Sequence, residues 1–370
     1  NWMLTQECVP DQHDPSIYIK MVKDHNEADA PLTVLFHVDD SLSFHPSEQV
    51  LVDFNNELMK AFPGTIKSSV TQFLGMTIRR SEDWSFWISQ QPLIEKIYKQ
   101  CEALAKIPEL KARGWYLEPR VAGKDRDSNV PMLQDRLKRT IEPVTAAEQQ
   151  VLQLFPYAEV LGAIGYVMTC TRPTISFSFK ELSRFTSCYR HDHIDALLVL
   201  VSYLRRKERE EFLISSRGSN LLRAYTDADW NHDVNHRSTT GWIVLYGDTP
   251  ISWASRSQKC TSKSTCEAEF VALSSCVAEL IHIRRLNDSL DRSNIYNQPS
   301  PIHMTGVGVD EAPEIRAVDL FCDSTAAIAT ASRIRSWLDD KLRHIKTAFF
   351  FFRGYVHGFG ADETAQGGRY

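Results

Sequence analysis

The succession of elements after Leu221 restricts the possible folds more than any other feature of the chain. Three β-rich runs, Leu221 to Tyr225, Gly241 to Tyr246 and Ile251 to Ala254, are separated by turn residues. A long stretch from about Ser264 to Leu290 follows, in which Phe270, Leu273, Val277, Leu280 and Leu286 recur at helical spacing. Ser264 with Glu267 has the arrangement of a capping box at its start. Residues Asp291 to Arg316 carry Pro, Gly and Asn and read as a loop, after which Ile315 to Cys322 returns as a strand ending at Asp323. The order is therefore three strands, a helix, a strand and a helix.

That order places three acidic residues at the ends of elements: Asp227 after the first strand, Glu269 in the first turns of the long helix, and Asp323 after the fourth strand. Carboxylates gathered in this way suit hard divalent cations, which take oxygen ligands. Two such ions about 4 Å apart clamp a phosphodiester, one activating water and the other stabilising the leaving oxygen. Strand ends and helix N-termini also collect Asp and Glu for capping and dipole reasons, and the chain has 47 acidic residues. Spacing by itself leaves both readings open.

Upstream, residues 32 to 44 read as two β-rich runs around an acidic tip, Asp39-Asp40, and Glu48 to Phe62 has the apolar spacing of a helix. A second hairpin joins Phe73 to Ile78 with Ser85 to Ser89 through Ser81 to Trp84. Ile94, Ile97, Tyr98 and Leu104 continue as a helix, and Lys106 to Ala147 is charged, Pro-bearing and poorly periodic. Tyr157 to Leu204 is helix-rich, broken at Thr171-Arg172-Pro173.

At 370 residues the chain exceeds what one core usually holds, since single cores stop growing at roughly 250 to 300 residues. With 43% hydrophobic and 24% charged residues it has the composition of a folded globular protein. A formal charge of -5 argues against gripping nucleic acid by bulk basicity, so any such contact is local. Eight scattered cysteines, with no Cys-x-x-Cys pair, suggest reduced thiols inside the cell, in cytoplasm or nucleus. Uncharged apolar runs such as Ala196 to Val201 and Ala348 to Phe352 are far short of the ~20 residues of a membrane helix, so no membrane partner is expected. The opening residues, without an initial Met or a basic and then apolar leader, read as those of a chain cut from something longer.

Five ordered motifs change the weighting of the acidic triad: Tyr-Thr-Asp-Ala-Asp-Trp (225 to 230), Arg-Ser-Thr-Thr-Gly (237 to 241), Ile-Ser-Trp-Ala-Ser-Arg-Ser-Gln (251 to 258), Ser-Thr-Cys-Glu-Ala-Glu-Phe-Val-Ala-Leu (264 to 273) and Cys-Asp-Ser-Thr-Ala-Ala-Ile-Ala (322 to 329). Upstream stand Val-Asp-Asp (38 to 40), Phe-Leu-Gly-Met (73 to 76), Ile-Ser-Gln (88 to 90), Leu-Gly-Ala-Ile-Gly-Tyr (161 to 166), Cys-Thr-Arg-Pro (170 to 173) and Leu-Ser-Arg-Phe (182 to 185). From about residue 12 to 353 the chain resembles the C-terminal part of copia-type LTR retrotransposon Pol polyproteins, the tail of a reverse transcriptase joined to a ribonuclease H domain.

The resemblance implies an α+β and α/β architecture: a truncated reverse-transcriptase palm with a primer-grip-like hairpin over 1–105, a linker or insertion over 106–156, a helical thumb or connection over 157–215, and over 220–357 a ribonuclease H-like mixed five-stranded sheet flanked by helices. Residues 358–370 read as a degenerate tail. It further implies that Asp227, Glu269 and Asp323 hold two Mg²⁺ ions, with Mn²⁺ as substitute, and that an RNA strand paired with DNA is cleaved to 5′-phosphate and 3′-hydroxyl ends, its 2′-OH marking it as RNA. Arg237, Ser324 and Thr325, in the matching motifs, are the positions expected to touch nucleic acid. Asp229 and Glu267 are the neighbours most easily confused with the triad. Glu269 is preferred because it directly precedes Phe270, with the small Ala272 close behind, as the family's ligand does. Upstream reverse transcriptase and integrase segments of the polyprotein are the implied partners.

Three departures from the family pattern carry expectations of their own. Asp39 and Asp40 match two of three palm carboxylates, and the third lies far upstream in the family, so no polymerase activity is expected from this chain alone. His37 stands where the family has an aromatic residue and reads as a half-buried strand residue. The family's fourth nuclease carboxylate has only Asp362 as a late, poorly matching candidate, which leaves a catalytically inactive remnant with a nucleic-acid-binding or interaction role as the second reading. His232 and His236 read as solvated turn residues, and the run Arg205 to Glu211 as a solvated helix end.

Overall fold

The computed structural model describes residues 2–23, 29–67, 69–112, 130–132, 137, 144–217, 221–230, 237–291 and 318–332. The chain divides into two compact units, residues 1–74 with 278–318 and residues 75–277 with 319–370. It is an α+β protein with several antiparallel sheets. Most of 106–143, residues 292–317, His232, His236, Asp362 and everything beyond 332 lie outside the described residues.

In the first unit, a short helix α1 (Trp2–Thr5) precedes an antiparallel sheet in the order β1 (Val9–Pro10), β2 (Ile17–Lys23), β3 (Asp29–His37) and β4 (Asp40–Phe44), and α2 (Glu48–Ala61) follows. Leu32 and Val34 alternate inward on β3 and bury with Met3 and Cys8, while Leu51 and Phe54, one turn apart on α2, pack against them. The β3–β4 hairpin turns through Val38 and Asp39, with His37 paired to Asp40. Val38 takes φ +57° there, a left-handed value that is costly for a β-branched side chain. A short strand β5 (Gln72–Phe73) ends the N-terminal part of this unit.

The second unit begins with the expected hairpin, β6 (Met76–Arg80) and β7 (Phe86–Ser89). A third strand, β8 (Phe212–Ile214), pairs antiparallel with β7 and was not anticipated, because three residues are too few to reveal a period of two. Helices α3 (Gln91–Ala105), α4 (Pro108–Lys111), α5 (Ala146–Gln153), α6 (Tyr157–Thr171), α7 (Ser176–Ser183) and α8 (His191–Arg206) share one core. Val160, Ile164 and Val167 of α6 and Ile194, Leu197 and Val201 of α8 are all at most 1% exposed, each worth about 1.5–3 kcal/mol of burial. Gly165 lets α7 approach, since a Cβ there would lie 2.8 Å from the Phe179 ring. Residues Ala146–Thr171 reach the length and hydropathy of a membrane-crossing stretch, but they form two helices with Leu154–Pro156 between them. The apolar face of α6 is spent on the helical core.

The same unit holds a mixed sheet in the order β11 (Thr249–Ser257), β10 (Thr239–Tyr246), β9 (Leu222–Asp229) and β12 (Asp319–Cys322). β9, β10 and β11 are antiparallel neighbours, and β12 runs parallel to β9. Four strands of this sheet stand among the described residues, against the five expected. Helix α9 (Thr265–Asp291) has its first half, to Val277, in this unit, and α10 (Thr325–Ser332) follows β12. The helical part is tied to the sheet by polar contacts: the Trp253 indole donates to the Met168 carbonyl at 3.0 Å, and the buried Lys180 ammonium donates to Thr239 Oγ1 at 2.7 Å while pairing with Glu181.

Candidate metal centre

The parallel pairing of β12 with β9 puts their C-terminal ends side by side, Cys322 opposite Thr226. Asp227 is the next residue on β9 and Asp323 the next after β12, so both carboxylates emerge at one end of the sheet, and both are exposed. Glu269 comes from the second turn of α9 and is only 8% exposed. Its neighbours Ala268, Phe270, Ala272 and Leu273 are packed inside, which draws the glutamate in with them.

Glu269, Cys322 and Asp323 offer donor atoms that all lie within 4.8 Å of one another, and Cys322 Sγ lies 4.0 Å from Glu269 Oε2. The Glu269 carboxyl is pushed up to about 7, first by burial and then by the negative charges of Asp227 and Asp323, while the Ala228 backbone N–H donates to it and works the other way. The Cys322 thiol is pushed up to about 11, chiefly by burial and also by the charges of Glu269, Asp323 and Asp227. It is therefore a neutral thiol at neutral pH. Of the three sequence-predicted carboxylates, Glu269 and Asp323 thus stand together with Cys322, and Asp227 is near enough for its charge to act on both Glu269 and Cys322.

Glu267 has a different task. Its Oε2 accepts from the Lys263 N–H at 2.6 Å, and its own N–H donates to Ser264 Oγ at 3.2 Å. This is the expected capping box, with the return bond displaced by one residue from Ser264 to Lys263. The helix start therefore occupies Glu267 and leaves Glu269, two residues on, to face the sheet end.

Around the centre, Ser324 caps α10, its Oγ accepting from the Ala327 N–H at 3.2 Å, and Thr325 is exposed at the first position of that helix. Arg237 is exposed two residues before β10. Sequence reasoning missed Cys322, which lines the centre as closely as the carboxylates do. The signal was its place between a strand and Asp323.

Asp39 and Asp40 belong to the first unit, exposed at the hairpin turn on the edge of a cleft of about 540 Å³ with Phe36, Leu42, Leu58 and Phe62. His37 is exposed instead of half-buried, because β3 ends there beside the turn. The charged run Arg205 to Glu211 is laced by its own pairs, Lys207–Glu210 at 2.6 Å and Arg205–Glu208, and Glu211 pairs with Arg79 at 2.7 Å. The run is only partly solvated: the Glu208 side chain is 13% exposed, and the buried Arg172 donates to the carbonyls of Lys207 and Glu210.

No family model matches the chain. It is 25% identical over 358 residues to the retrovirus-related Pol polyprotein from transposon TNT 1-94 of Nicotiana tabacum, which covers 96% of this chain and 24% of that protein. It is 28% identical over 201 residues to the retrovirus-related Pol polyprotein from transposon RE1 of Arabidopsis thaliana, covering 54% of this chain and 12% of that protein. It is also 34% identical over 127 residues to secreted RxLR effector protein 161 of Plasmopara viticola, covering 34% of this chain and 89% of that protein. The chain therefore spans a quarter or less of the length of the two polyproteins. The chain is thus similar along nearly all of its residues to the retrovirus-related Pol polyproteins of copia-type transposons.

Proposed function

We propose that the second unit is a Mg²⁺-dependent endonuclease that hydrolyses the RNA strand of RNA–DNA hybrids within a retroelement polyprotein. The observation that supports this reading is the clustering of Glu269 and Asp323, from a helix and a strand end, with Asp227 on the neighbouring strand end close enough to raise the Glu269 carboxyl. The carboxylate oxygens of Glu269 and Asp323, with Asp227 beside them, are donors that suit a hard divalent ion, and the neighbouring Cys322 thiol is protonated at neutral pH in the metal-free chain. Asp227, Glu269 and Asp323 would hold the ions, which supply Lewis-acid activation of water and neutralise charge on the scissile phosphate.

The remaining work falls to the chain itself. Glu269 is buried with the Ala228 backbone N–H as a partner, which favours an orientation toward the sheet end. Asp227 and Asp323 are open to solvent and so to a phosphodiester lying across the sheet end. Arg237, Ser324 and Thr325 are proposed to touch the nucleic-acid backbone. Because the Ser324 oxygen already accepts from Ala327, its contact would be made by the hydroxyl as donor. Other segments of the polyprotein are the proposed working partners.

The test is cleavage of an end-labelled RNA–DNA hybrid in Mg²⁺, with Mn²⁺ in parallel, comparing wild type with Asp227→Asn. The expected products carry 5′-phosphate and 3′-hydroxyl ends and disappear in the variant. Equal signals from the two proteins remove the reading, and hybrid binding without cleavage in either metal makes the unit an inactive, nucleic-acid-binding remnant.

A further inference from the structure

We infer that Gln258 is a positioning residue for the acidic centre: its carboxamide locks the helix carrying Glu269 to the strand pair carrying Asp227. This rests on the nuclease reading above. Gln258 follows β11 and is 4% exposed, yet every polar atom of its amide is engaged. Nε2 donates to Thr240 Oγ1 at 3.1 Å and to the Ala268 carbonyl at 2.8 Å, and Oε1 accepts from Ser262 Oγ at 2.7 Å. A buried primary amide persists only when so satisfied, and here three separate elements supply the partners.

Those partners sit one step from the centre. Thr240 is the β10 residue paired with Ala228 of β9, and the Ala228 N–H donates to Glu269. Ala268 directly precedes Glu269 in the chain. The contacts therefore close a ring, from Gln258 to Thr240, across to Ala228, to the Glu269 carboxylate, back one residue to Ala268, and to Gln258 again. Ser262 extends it, because its carbonyl accepts from the indole of Trp230, the residue after Asp229, at 3.0 Å.

The ring supplies what apolar packing does not. Phe270, Leu273 and Val277 of α9 are buried, and apolar burial is non-directional, so by itself it weakly opposes sliding along the helix axis and rotation about it. A single carboxamide bonded at once to a helix carbonyl and a strand hydroxyl fixes both. Misplacement of a reacting group by about 1 Å costs on the order of 10²-fold in rate.

The test uses the full chain with Gln258→Met, which keeps length and loses every hydrogen bond, and with Thr240→Val beside Thr240→Ser. Mn²⁺ affinity is read by electron paramagnetic resonance, and exchange of the Ala228 amide by NMR. The Mg²⁺ half-saturation of cleavage, the KM for hybrid and the melting temperature complete the set. Gln258→Met is expected to weaken Mn²⁺ binding and to raise the Mg²⁺ half-saturation by about tenfold or more, and to speed Ala228 exchange by a similar factor, with hybrid KM within about twofold. Thr240→Val moves the same way by less, and Thr240→Ser behaves as wild type. A lowered melting temperature with metal affinity and Ala228 exchange unchanged overturns the inference, since that is what a purely structural glutamine would give. If wild type fails to cleave, the nuclease reading falls and the metal and exchange readouts still decide the role of Gln258. If Gln258→Met does not fold, the two Thr240 variants decide it, and equal behaviour of Val and Ser overturns it.

Discussion

Two acidic features stand out in this chain, and they are built in opposite ways. Asp39 and Asp40 are sequence neighbours at an exposed hairpin turn of the first unit, next to Val38, which is 91% exposed. Asp227, Glu269 and Asp323 lie up to almost a hundred residues apart, yet in the second unit a helix and a strand end bring Glu269 and Asp323 together and the parallel neighbouring strand end places Asp227 near them. Asp39 lies in the turn and Asp40 opens β4, so among the described residues this consecutive pair is supported by no second element of the kind that brings Glu269 to Asp323.

The largest expected effect separates the two features directly. Asp227→Asn and Asp323→Asn should each cut hybrid cleavage by roughly 10²-fold or more, as loss of a preorganised charge-stabilising group does. Asp39→Asn and Asp40→Asn should leave it within about twofold in the same labelled-hybrid assay. A comparable loss from either pair breaks the contrast and requires a shared site.

The next effect is on pH, and its sign follows from the direction of the Glu269 shift. The carboxyl is raised from 4.5 to about 7 in the folded chain, so folding favours its protonated form. Its contribution to stability is whole below about pH 4.5 and is lost as pH rises toward 7. Cations need the ionised form, so the apparent Mg²⁺ half-saturation should rise by about tenfold for each unit the pH falls below about 7. Cleavage followed against Mg²⁺ at a series of pH values measures it, and a flat profile contradicts it. Replacing the group gives the mirror result. Glu269→Gln should abolish cleavage yet stabilise the metal-free chain at pH 8 by about 1–2 kcal/mol, after discounting for solvent screening. That gain should vanish near pH 4.5, where the wild-type carboxyl is itself neutral. Thermal melts of the two proteins at both pH values decide it.

How much of this was legible in the sequence depends on the kind of signal each residue gives. The β9, β10 and β11 runs and the α9 helix declared themselves by period, and the Ser264–Glu267 cap by its spacing. The choice of Glu269 over Glu267 came from a family likeness, and its physical reason is visible only in the structure, where the cap occupies Glu267. Strand β8 was hidden because it is three residues long. Cys322 and Gln258 stood within the quoted motifs, but their roles were not legible, because burial and long-range contacts decide what they do and neither leaves a period in the chain.

The smallest expected effect tests whether the hairpin tip is strained or supported. Val38 holds φ +57° with its side chain almost wholly in solvent, so the conformation costs energy that no packing of that side chain returns. A left-handed L-residue costs roughly 1–2 kcal/mol, and glycine at the same place loses about 0.5–1 kcal/mol through the greater freedom of its unfolded chain. Val38→Gly should therefore raise stability by less than about 1 kcal/mol, read as a small upward shift in the urea midpoint at unchanged slope. Hybrid cleavage should not change. A loss of stability would mean that the valine makes contacts worth more than the strain, and that the tip carrying Asp39 and Asp40 is held as deliberately as the carboxylate centre of the second unit.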